Sequence, residues 1–169
     1  ISVVAGSSNK KNASDAGHFY YTEVTGDFDV KVQIESLTGT HDWAKAELMV
    51  RNPDGFTGAP TGPDAFFAMM GTRAASQNKV SPQWRATNGG GAAWDDTLSR
   101  GPVQYPNEFV RITRIGSVLH GYSSNDNANW LEQMSIDTAE DAAWEDFGGP
   151  VYVGLAVTSH DNAADVVAT

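Results

Sequence analysis

The sequence predicts an all-β protein folded as a two-sheet antiparallel β-sandwich. Short segments in which apolar and polar residues alternate recur along the chain, as expected of strands with one buried face. Gly, Pro, Asn and Asp separate these segments at close intervals, which is typical of turns. No long segment has a helical period, so we expect about nine to eleven short strands.

The first half of the chain contributes five predicted strands. In residues 28–37 (FDVKVQIESL), apolar and polar residues alternate, which gives one dry and one wet face. Residues 44–51 (AKAELMVR) place Ala46, Leu48 and Val50 on one face by the same rule. The other three strands are residues 18–24, 66–73 and 80–87. Residues 52–64 and 88–96 are rich in Gly or Pro and are predicted loops.

The second half is organised around a hairpin. Residues 109–115 and 118–123 are predicted strands joined at Gly116-Ser117, and residues 124–129 (SNDNAN) form a second turn. Strands follow at residues 130–136 and 151–159, the latter strongly apolar and therefore central. Between them, Ala and Glu favour one short helical turn in residues 138–147.

Charge and composition exclude several classes of function. The 169 residues suit a single domain spanning 1–169 and carry 21 acidic against 11 basic side chains, a net charge of −10. Nucleic acids and anionic membranes need a basic face, so neither is an expected partner. The chain has no cysteine, which rules out disulfides, thiolate metal sites and cysteine nucleophiles. No apolar run approaches the ~20 residues of a membrane-spanning helix.

Several collinear segments carry a resemblance to a known family. They include AKAELMVR, the hairpin of residues 109–123, SNDNANW and GLAVTSH. In this order they resemble the concanavalin A-like, LamG-like domains of the DUF1349 type, and the likeness covers residues 15–168. The resemblance implies a jelly-roll sandwich from a bacterial secreted or cell-surface protein. Glu47 and Asn127 depart from it, because each stands where the family has glycine.

The ends of the chain also bear on its organisation. It begins at Ile1, without an initiator methionine or a signal peptide, so we expect a piece processed or excised from a longer precursor. The resemblance implies one further strand past Ala168-Thr169. Without that strand we expect an open sheet edge, and such an edge invites strand exchange with another chain.

The catalytic motifs we searched for are absent from the sequence. There is no Glu-x-Asp-x-x-Glu run of a glycosidase, no HExxH and no GxSxG. Asp141, Glu145 and Asp146 come closest to a carboxylate pair, but they lie in the predicted helical turn. We therefore expect a protein that is not an enzyme and that requires no cofactor. A hydrolase with carboxylates from separate loops is the third-ranked alternative.

Binding residues are easier to nominate. Trp43 and Trp94 lie in loop-like settings, where an indole is harder to explain as core, whereas Trp84 and Trp130 are assigned to packing. Arg111 and Arg114 are expected to pair with acids across strands. The other candidates lie on the wet faces of strands, where polar groups can read the hydroxyls of a sugar. The predicted ligand-binding residues are Trp43, Arg51, Gln83, Arg85, Trp94, His120 and Tyr122.

Three functions remain open at this level. The first is a non-catalytic carbohydrate-binding or adhesive domain of an extracellular bacterial protein, and the second is a structural subunit of a surface layer, fibre or larger complex. The hydrolase comes third. Calcium is compatible with either of the first two, and Asp15, Asp161 and Asp165 are its predicted oxygen ligands near the chain ends. The expected partner is accordingly a glycan or a neighbouring protein subunit.

Overall fold

A computed structural model describes residues 3–7, 17–39, 41–53, 64–73 and 77–169, with backbone alone for 3–7 and 162–166. The fold is all-β, as predicted, and its described part contains twelve strands and one 3₁₀ helix, Asp96–Leu98. The strands are β1 Val3–Ser7, β2 His18–Val24, β3 Phe28–Ile34, β4 Lys45–Arg51, β5 Phe66–Thr72, β6 Val80–Arg85, β7 Ala93–Trp94, β8 Glu108–Ile115, β9 Val118–Ser124, β10 Leu131–Asp137, β11 Val151–Thr158 and β12 Asp161–Ala168.

Two antiparallel sheets form the sandwich, as in the predicted jelly roll. The larger has six strands in the order β2-β11-β4-β5-β6-β7, and the smaller has four in the order β10-β9-β8-β3. A separate ribbon pairs β1 with β12, which brings the two ends of the chain together. The jumps in strand order at β2-β11, β11-β4 and β8-β3 place strands side by side that are far apart in sequence, whereas β4 to β7 and β8 to β10 are consecutive neighbours.

The core lies between the two sheets and contains the apolar residues that the alternation selected. Leu48 of β4 and Val153 of β11 are almost fully buried, and they face Val110 and Ile112 of β8 across the sandwich core. Val30 and Val32 of β3 are partly buried and pack against the same cluster. The dry faces assigned from sequence are therefore the faces that the two sheets press together.

Three strands lack a counterpart in the sequence prediction. β7 has only two residues, so no period can show in it. β1 is also short, and β12 begins with Asp161 and Asn162, residues typical of a turn. The helical turn predicted in residues 138–147 is present only as one isolated turn, in which the backbone N–H of Asp141 donates to the carbonyl of Asp137 at 3.1 Å, and the rest of the segment forms turns and no helix. Asp137 and Asp141 cap these turns through their own side chains.

Arg114 shows how the loops are attached to the smaller sheet. Its side chain is fully buried and faces the core, where its guanidinium lies 5.1 Å from the centre of the Phe28 ring. It donates to the carbonyls of Gly26, Phe147 and Gly149. The expected pairing of Arg114 with an acid is thus replaced by hydrogen bonds to carbonyls, whereas Arg111 does pair with Asp29.

None of the helices in the described ranges has both the length and the apolar character needed to cross a membrane.

Candidate functional site

Two of the predicted ligand-binding residues, Trp43 and Trp94, form a contacting pair at one end of the larger sheet. Trp43 ends the turn before β4, where its backbone N–H donates to Nδ1 of His41 at 3.1 Å. Trp94 lies in β7, the edge strand of the same sheet. The ring centroids are 5.6 Å apart, and the rings are tilted by 56°. Both indoles are only partly buried, so this tryptophan pair reaches solvent.

Two lysines surround the tryptophan pair. Nζ of Lys79 lies 5.1 Å from the centroid of the Trp43 ring, and Nζ of Lys45 lies 6.0 Å from it. Lys79 also forms an ion pair with Asp96 at 2.5 Å. A cation over an indole face is attracted by the ring quadrupole, so these contacts help to fix Trp43 in place. They also place hydrogen-bond donors next to the aromatic surface.

Gln83, a third predicted residue, is directly opposite Trp94 in the pairing of β6 with β7. Paired residues of neighbouring strands project from the same face, so the amide and the indole are neighbours. Gln83 is 3% exposed, and its Oε1 has no hydrogen-bond partner within the part of the chain that the structure describes. Leaving such an acceptor unsatisfied costs about 1–3 kcal/mol, so this oxygen is suited to accept a donor from a ligand.

Arg51 and Arg85 correct the expectation of a wet face. They lie on the face of the larger sheet that points away from the core, and they are only 3% and 0% exposed. Arg51 forms a buried ion pair with Asp64 at 3.1 Å. Arg85 donates to the carbonyls of Gly90 at 2.8 Å and Asp64 at 3.0 Å. We call this surface the covered face; its buried members include Glu47, Met49, Arg51, Gln83 and Arg85.

Part of the reason for this burial is visible in the described residues. Met49, Phe66 and Ala68 form a second apolar cluster on the covered face, and Phe19 and Ala92 pack against it. The Arg51 guanidinium lies 5.9 Å from the centre of the Phe19 ring. The two arginines therefore tie strands and loops to one another beneath other groups, and a large ligand has no direct access to them.

His120 and Tyr122, the remaining predicted residues, lie on β9 in the smaller sheet and point away from the core. Here the guanidinium of Arg111 lies 5.3 Å from the centre of the Tyr122 ring and 5.5 Å from that of Trp130. Nδ1 of His120 is 3.5 Å from Oε2 of Glu132, at the outer limit of hydrogen bonding. We call this surface the open face; its members include Arg111, Thr113, His120, Tyr122 and Glu132.

The open face is separate from the tryptophan pair, because the two lie on different sheets of the sandwich. Arg111 holds the pKa of the Asp29 carboxyl below its usual value through a bidentate hydrogen bond, at 2.7 and 2.6 Å. Burial raises the pKa of the Tyr122 hydroxyl. Arg111 and Asp29 satisfy each other, which is typical of a cross-strand pair, whereas Nδ1 of His120 has no hydrogen-bond partner among the described residues.

A stacked histidine pair borders the tryptophan pair. The rings of His41 and His160 have centroids 4.3 Å apart, and His41 is the residue that accepts from Trp43. Burial, together with nearby Lys45 and His41, lowers the pKa of His160 to about 4. The imidazole of His160 is therefore readily neutral, and a neutral imidazole can donate and accept hydrogen bonds.

The predicted calcium ligands do not converge on a described site. Asp15 lies outside the described residues, and Asp165 lies in β12, where only the backbone is described. Asp161 begins β12, and its backbone carbonyl accepts from Oγ of Ser159 at 2.6 Å. Within the side chains that the structure describes, no group of three or more His, Asp or Glu residues is arranged to hold a metal.

Sequence reasoning overlooked the two lysines of the tryptophan pair. Lys45 shares the alternation of β4 with Glu47 and Arg51, so a signal for its face was available. Lys79 precedes β6 and reaches Trp43 only through the fold, so nothing local in the sequence could show that contact.

Comparison with known proteins supports the fold. No protein-family model and no curated protein sequence matches this chain. A protein of unknown function from Saccharomyces cerevisiae has a similar structure, with a TM-score of 0.66 at 15% identity over 99% of this chain and 84% of the other. A GH43 protein from Bacillus licheniformis has a TM-score of 0.55 at 11% identity over 99% of this chain and 31% of the other.

A lectin from Bauhinia forficata, solved in complex with GalNAc, covers 99% of this chain and 89% of its own at 10% identity. Its TM-score of 0.49 is too low for the likeness to carry an argument. At these identities the first two structures show a common β-sandwich architecture and nothing about ligands.

Proposed function

We propose that this protein is a non-catalytic carbohydrate-binding or adhesive domain of an extracellular bacterial protein of the DUF1349 type. The tryptophan pair is the centre of the proposed site. The observation that carries the proposal is that Trp43, Trp94 and Gln83, nominated separately from sequence, lie together in the fold. Partly exposed indoles beside a buried, unsatisfied amide oxygen suit a ligand that has both apolar faces and hydroxyl groups.

The chemistry of a sugar fits each group in turn. Indole faces pack against the C–H groups of a pyranose ring, while the tilt of 56° between the rings gives a wedge in place of a flat stack. Oε1 of Gln83 can accept a hydrogen bond from a sugar hydroxyl. The ammonium group of Lys79 can donate to hydroxyl or ring oxygens, since it lies beside the same indole.

The proposal is non-catalytic because the nominated carboxylates serve local structure. Oδ1 of Asp141 accepts from the backbone N–H of Ala143 at 2.9 Å, and Oδ1 of Asp146 accepts from that of Gly148 at 2.7 Å. Oε1 of Glu145 accepts from the backbone N–H of Asn88 at 3.3 Å. A glycosidase instead needs two carboxylates facing each other across a cleft.

A glycan array with the purified protein tests the proposal. Algal, plant and bacterial glycans are screened with calcium supplied, and the affinity of any hit is then measured by calorimetry. We expect Trp43→Ala and Trp94→Ala each to weaken binding about five- to thirtyfold, since loss of a stacked ring costs about 1–2 kcal/mol. Tyr20→Ala is the matched control, because Tyr20 is 70% exposed and lies outside the site.

Two results would argue against the site. Silence across the array would oppose carbohydrate binding itself, and binding that survives both tryptophan substitutions would move the site elsewhere, with the open face as the next surface to test. A melting curve with and without chelator tests the calcium proposal. A large drop in Tm on chelation is expected only if a bound ion contributes to stability.

A further inference from the structure

The loop between β6 and β7 holds a dipeptide whose chemistry the proposed function does not use. The dipeptide is Asn88-Gly89, and Asn88 is the only asparagine of the sequence that precedes a glycine. Both residues lie in a turn and are exposed. The turn is closed by a hydrogen bond from the backbone N–H of Gly90 to the carbonyl of Thr87 at 3.0 Å. Water and hydroxide therefore reach both residues of the dipeptide.

Gly89 leaves its own backbone nitrogen accessible. An asparagine side chain can react with the backbone nitrogen of the next residue, because attack on Cγ is intramolecular and closes a five-membered ring. Gly89 has no Cβ to hinder that attack, and the space where a Cβ would lie is open to 4 Å. The Gly89 N–H donates to no residue that the structure describes. This nitrogen is therefore suited to lose its proton and attack.

The fold activates the other reacting group, which is the side-chain amide of Asn88. Oδ1 of Asn88 accepts a hydrogen bond at 2.7 Å from the backbone N–H of Ala65, just before β5. Negative charge develops on this oxygen as the Gly89 nitrogen adds to Cγ. A donor already aimed at such an oxygen stabilises the charge, as an oxyanion hole does. Ala65 is distant from Asn88 in sequence, so the tertiary structure supplies this donor.

We propose that Asn88 is a site of spontaneous deamidation, with water as the co-reactant. Hydroxide removes the proton of the Gly89 nitrogen, which then forms a bond to Cγ of Asn88. The bond between Cγ and Nδ2 breaks, and ammonia leaves with a proton from water, so that hydroxide is regenerated and a cyclic imide remains. Water that adds at Cγ gives aspartate, and water that adds at the main-chain carbonyl carbon gives isoaspartate. The site is distinct from the tryptophan pair and does not depend on carbohydrate binding.

The modification acts on the covered face through Arg85. Nε of Arg85 donates to the carbonyl of Gly90 at 2.8 Å, in the turn that Asn88 begins. Isoaspartate routes the backbone through its side chain and lengthens the turn by a methylene group, which displaces that carbonyl. Both products also carry a negative charge close to Glu145, whose Oε1 accepts from the Asn88 N–H at 3.3 Å. We expect isoaspartate to lower stability more than aspartate does, and urea denaturation checks this by comparing the aged protein with Asn88→Asp and fresh wild type.

Peptide mapping of the intact protein tests the proposal. The protein is incubated at pH 8.5 and 37 °C and digested, and mass spectrometry scores each asparagine for the change from amide to acid. Asn127 is the internal control, because it is exposed in a turn and is followed by Ala128. We expect Asn88 to convert at least tenfold faster than Asn127, since a methyl group hinders the attacking nitrogen and glycine has none. Equal rates at the two positions would overturn the proposal.

A synthetic peptide separates the fold from the local sequence. The blocked hexapeptide Ala-Thr-Asn-Gly-Gly-Gly matches residues 86–91 and lacks the donor from Ala65. A turn that only restrained Asn88 would slow the reaction strongly, whereas the donor offsets this restraint. We expect Asn88 in the folded chain to react at no less than a third of the rate in the peptide. A slower reaction would mean that the fold protects Asn88, and the proposal would then be wrong.

Two matched glycine substitutions test the attacking nitrogen. Gly89 and Gly116 have φ values of +75° and +62°, and both are open where a Cβ would lie. Gly89→Ala and Gly116→Ala therefore introduce similar backbone strain, but only the first hinders attack on Asn88. We expect the first to slow conversion of Asn88 at least fivefold and the second to leave it unchanged. Equal rates in the two variants would contradict the proposed route.

Asn88→Gln serves as the second variant if Gly89→Ala does not fold. Its longer side chain keeps the amide but has to close a six-membered ring, so we expect conversion at position 88 to fall at least tenfold. An isoaspartyl methyltransferase with S-adenosylmethionine measures the isoaspartate in the peptide that contains this position. Undiminished conversion at position 88 in Asn88→Gln would overturn the proposal.

Discussion

The two outward faces of the sandwich have the same alternating sequence pattern, but one is buried and the other is exposed to solvent. On the covered face, Arg51 and Arg85 are 3% and 0% exposed, and they bond to Asp64 and to backbone carbonyls. On the open face, the side chains of Arg111 and its partner Asp29 are 28% and 56% exposed. On one sheet, arginine thus makes buried bonds that hold loops in place. On the other, it belongs to an ion pair that solvent screens.

This difference shows what alternation determines and what it leaves open. A period of two specifies which residues share a face, because successive side chains point to opposite sides of the strand. It does not specify whether the outward face is covered, because burial depends on groups from other parts of the chain. Phe19 and Ala92, which pack on the covered face, come from β2 and from the loop before β7.

The largest expected effect on stability comes from removing a buried arginine of the covered face. Arg85→Ala removes a donor from the carbonyl of Asp64 in a buried setting and from that of Gly90 in a partly buried one. We expect it to lower the free energy of unfolding by about 2–4 kcal/mol, since orphaned buried groups cost about 1–3 kcal/mol each and some relax. Urea denaturation checks this, with Arg111→Ala as control, and equal losses would erase the contrast between the two faces.

Gln83 gives an effect of opposite sign on the same face. Gln83→Met keeps the side-chain length and removes a buried acceptor that has no partner among the described residues. We expect the free energy of unfolding to rise by about 1 kcal/mol. If Gln83 serves the proposed site, glycan affinity falls in the same variant. A loss of stability would mean that the amide has a structural role.

Most of the fold could be predicted from the sequence, because local patterns encode the strands. β2, β3, β8 and β9 were predicted close to their observed bounds, since each has alternation and a turn residue beside it. β7 and β12 were missed because a two-residue strand has no period and a strand that opens with Asp and Asn reads as a turn. Their pairing is set by distant partners.

Only part of the candidate site could be predicted from the sequence. The search for indoles in loops found Trp43 and Trp94, because an exposed-looking tryptophan is a local anomaly. That the two rings meet, and that Lys79 joins them, depends on contacts between β7, the turn before β4 and the start of β6. Arg51 and Arg85 were misplaced for the opposite reason, since nothing local marks a face as covered.

Removing Arg111 from the open face is expected to cost less stability than removing Arg85 from the covered face. Arg111→Ala breaks a bidentate hydrogen bond with Asp29, but Asp29 is exposed to water and Arg111 is partly exposed. Exposed ion pairs contribute about 0.2–1 kcal/mol and are screened by salt, so we expect a loss in that range that shrinks in 1 M NaCl. Urea denaturation at low and high salt checks this. A loss as large as that for Arg85→Ala would show that the open face is structurally as important as the covered one.

The smallest expected effect is a pH dependence of stability that arises from His160, at the end of the larger sheet. His160 is stacked on His41 and lies near Lys45, and its pKa is lowered to about 4 by burial and by these neighbours. In the unfolded chain a histidine takes up its proton near pH 6.5. Between pH about 6.5 and about 4 the unfolded chain therefore binds more protons than the folded one. This contribution to stability is complete above the upper value and is lost as the pH falls towards the lower one.

His160→Asn isolates that contribution. His160 has a φ of +58°, and asparagine tolerates this left-handed backbone better than most residues, so the change removes the titrating group with little strain. We expect Tm of the wild type to fall more steeply than that of the variant from pH 6.5 to 4, and the two slopes to agree above pH 7. The carboxylates affect both proteins alike because they are identical in the two, including Glu108, whose pKa burial raises above its usual value. Parallel slopes throughout would mean that His160 titrates as it does in the unfolded chain, and that the end of the sheet beside the tryptophan pair is as wet as the open face.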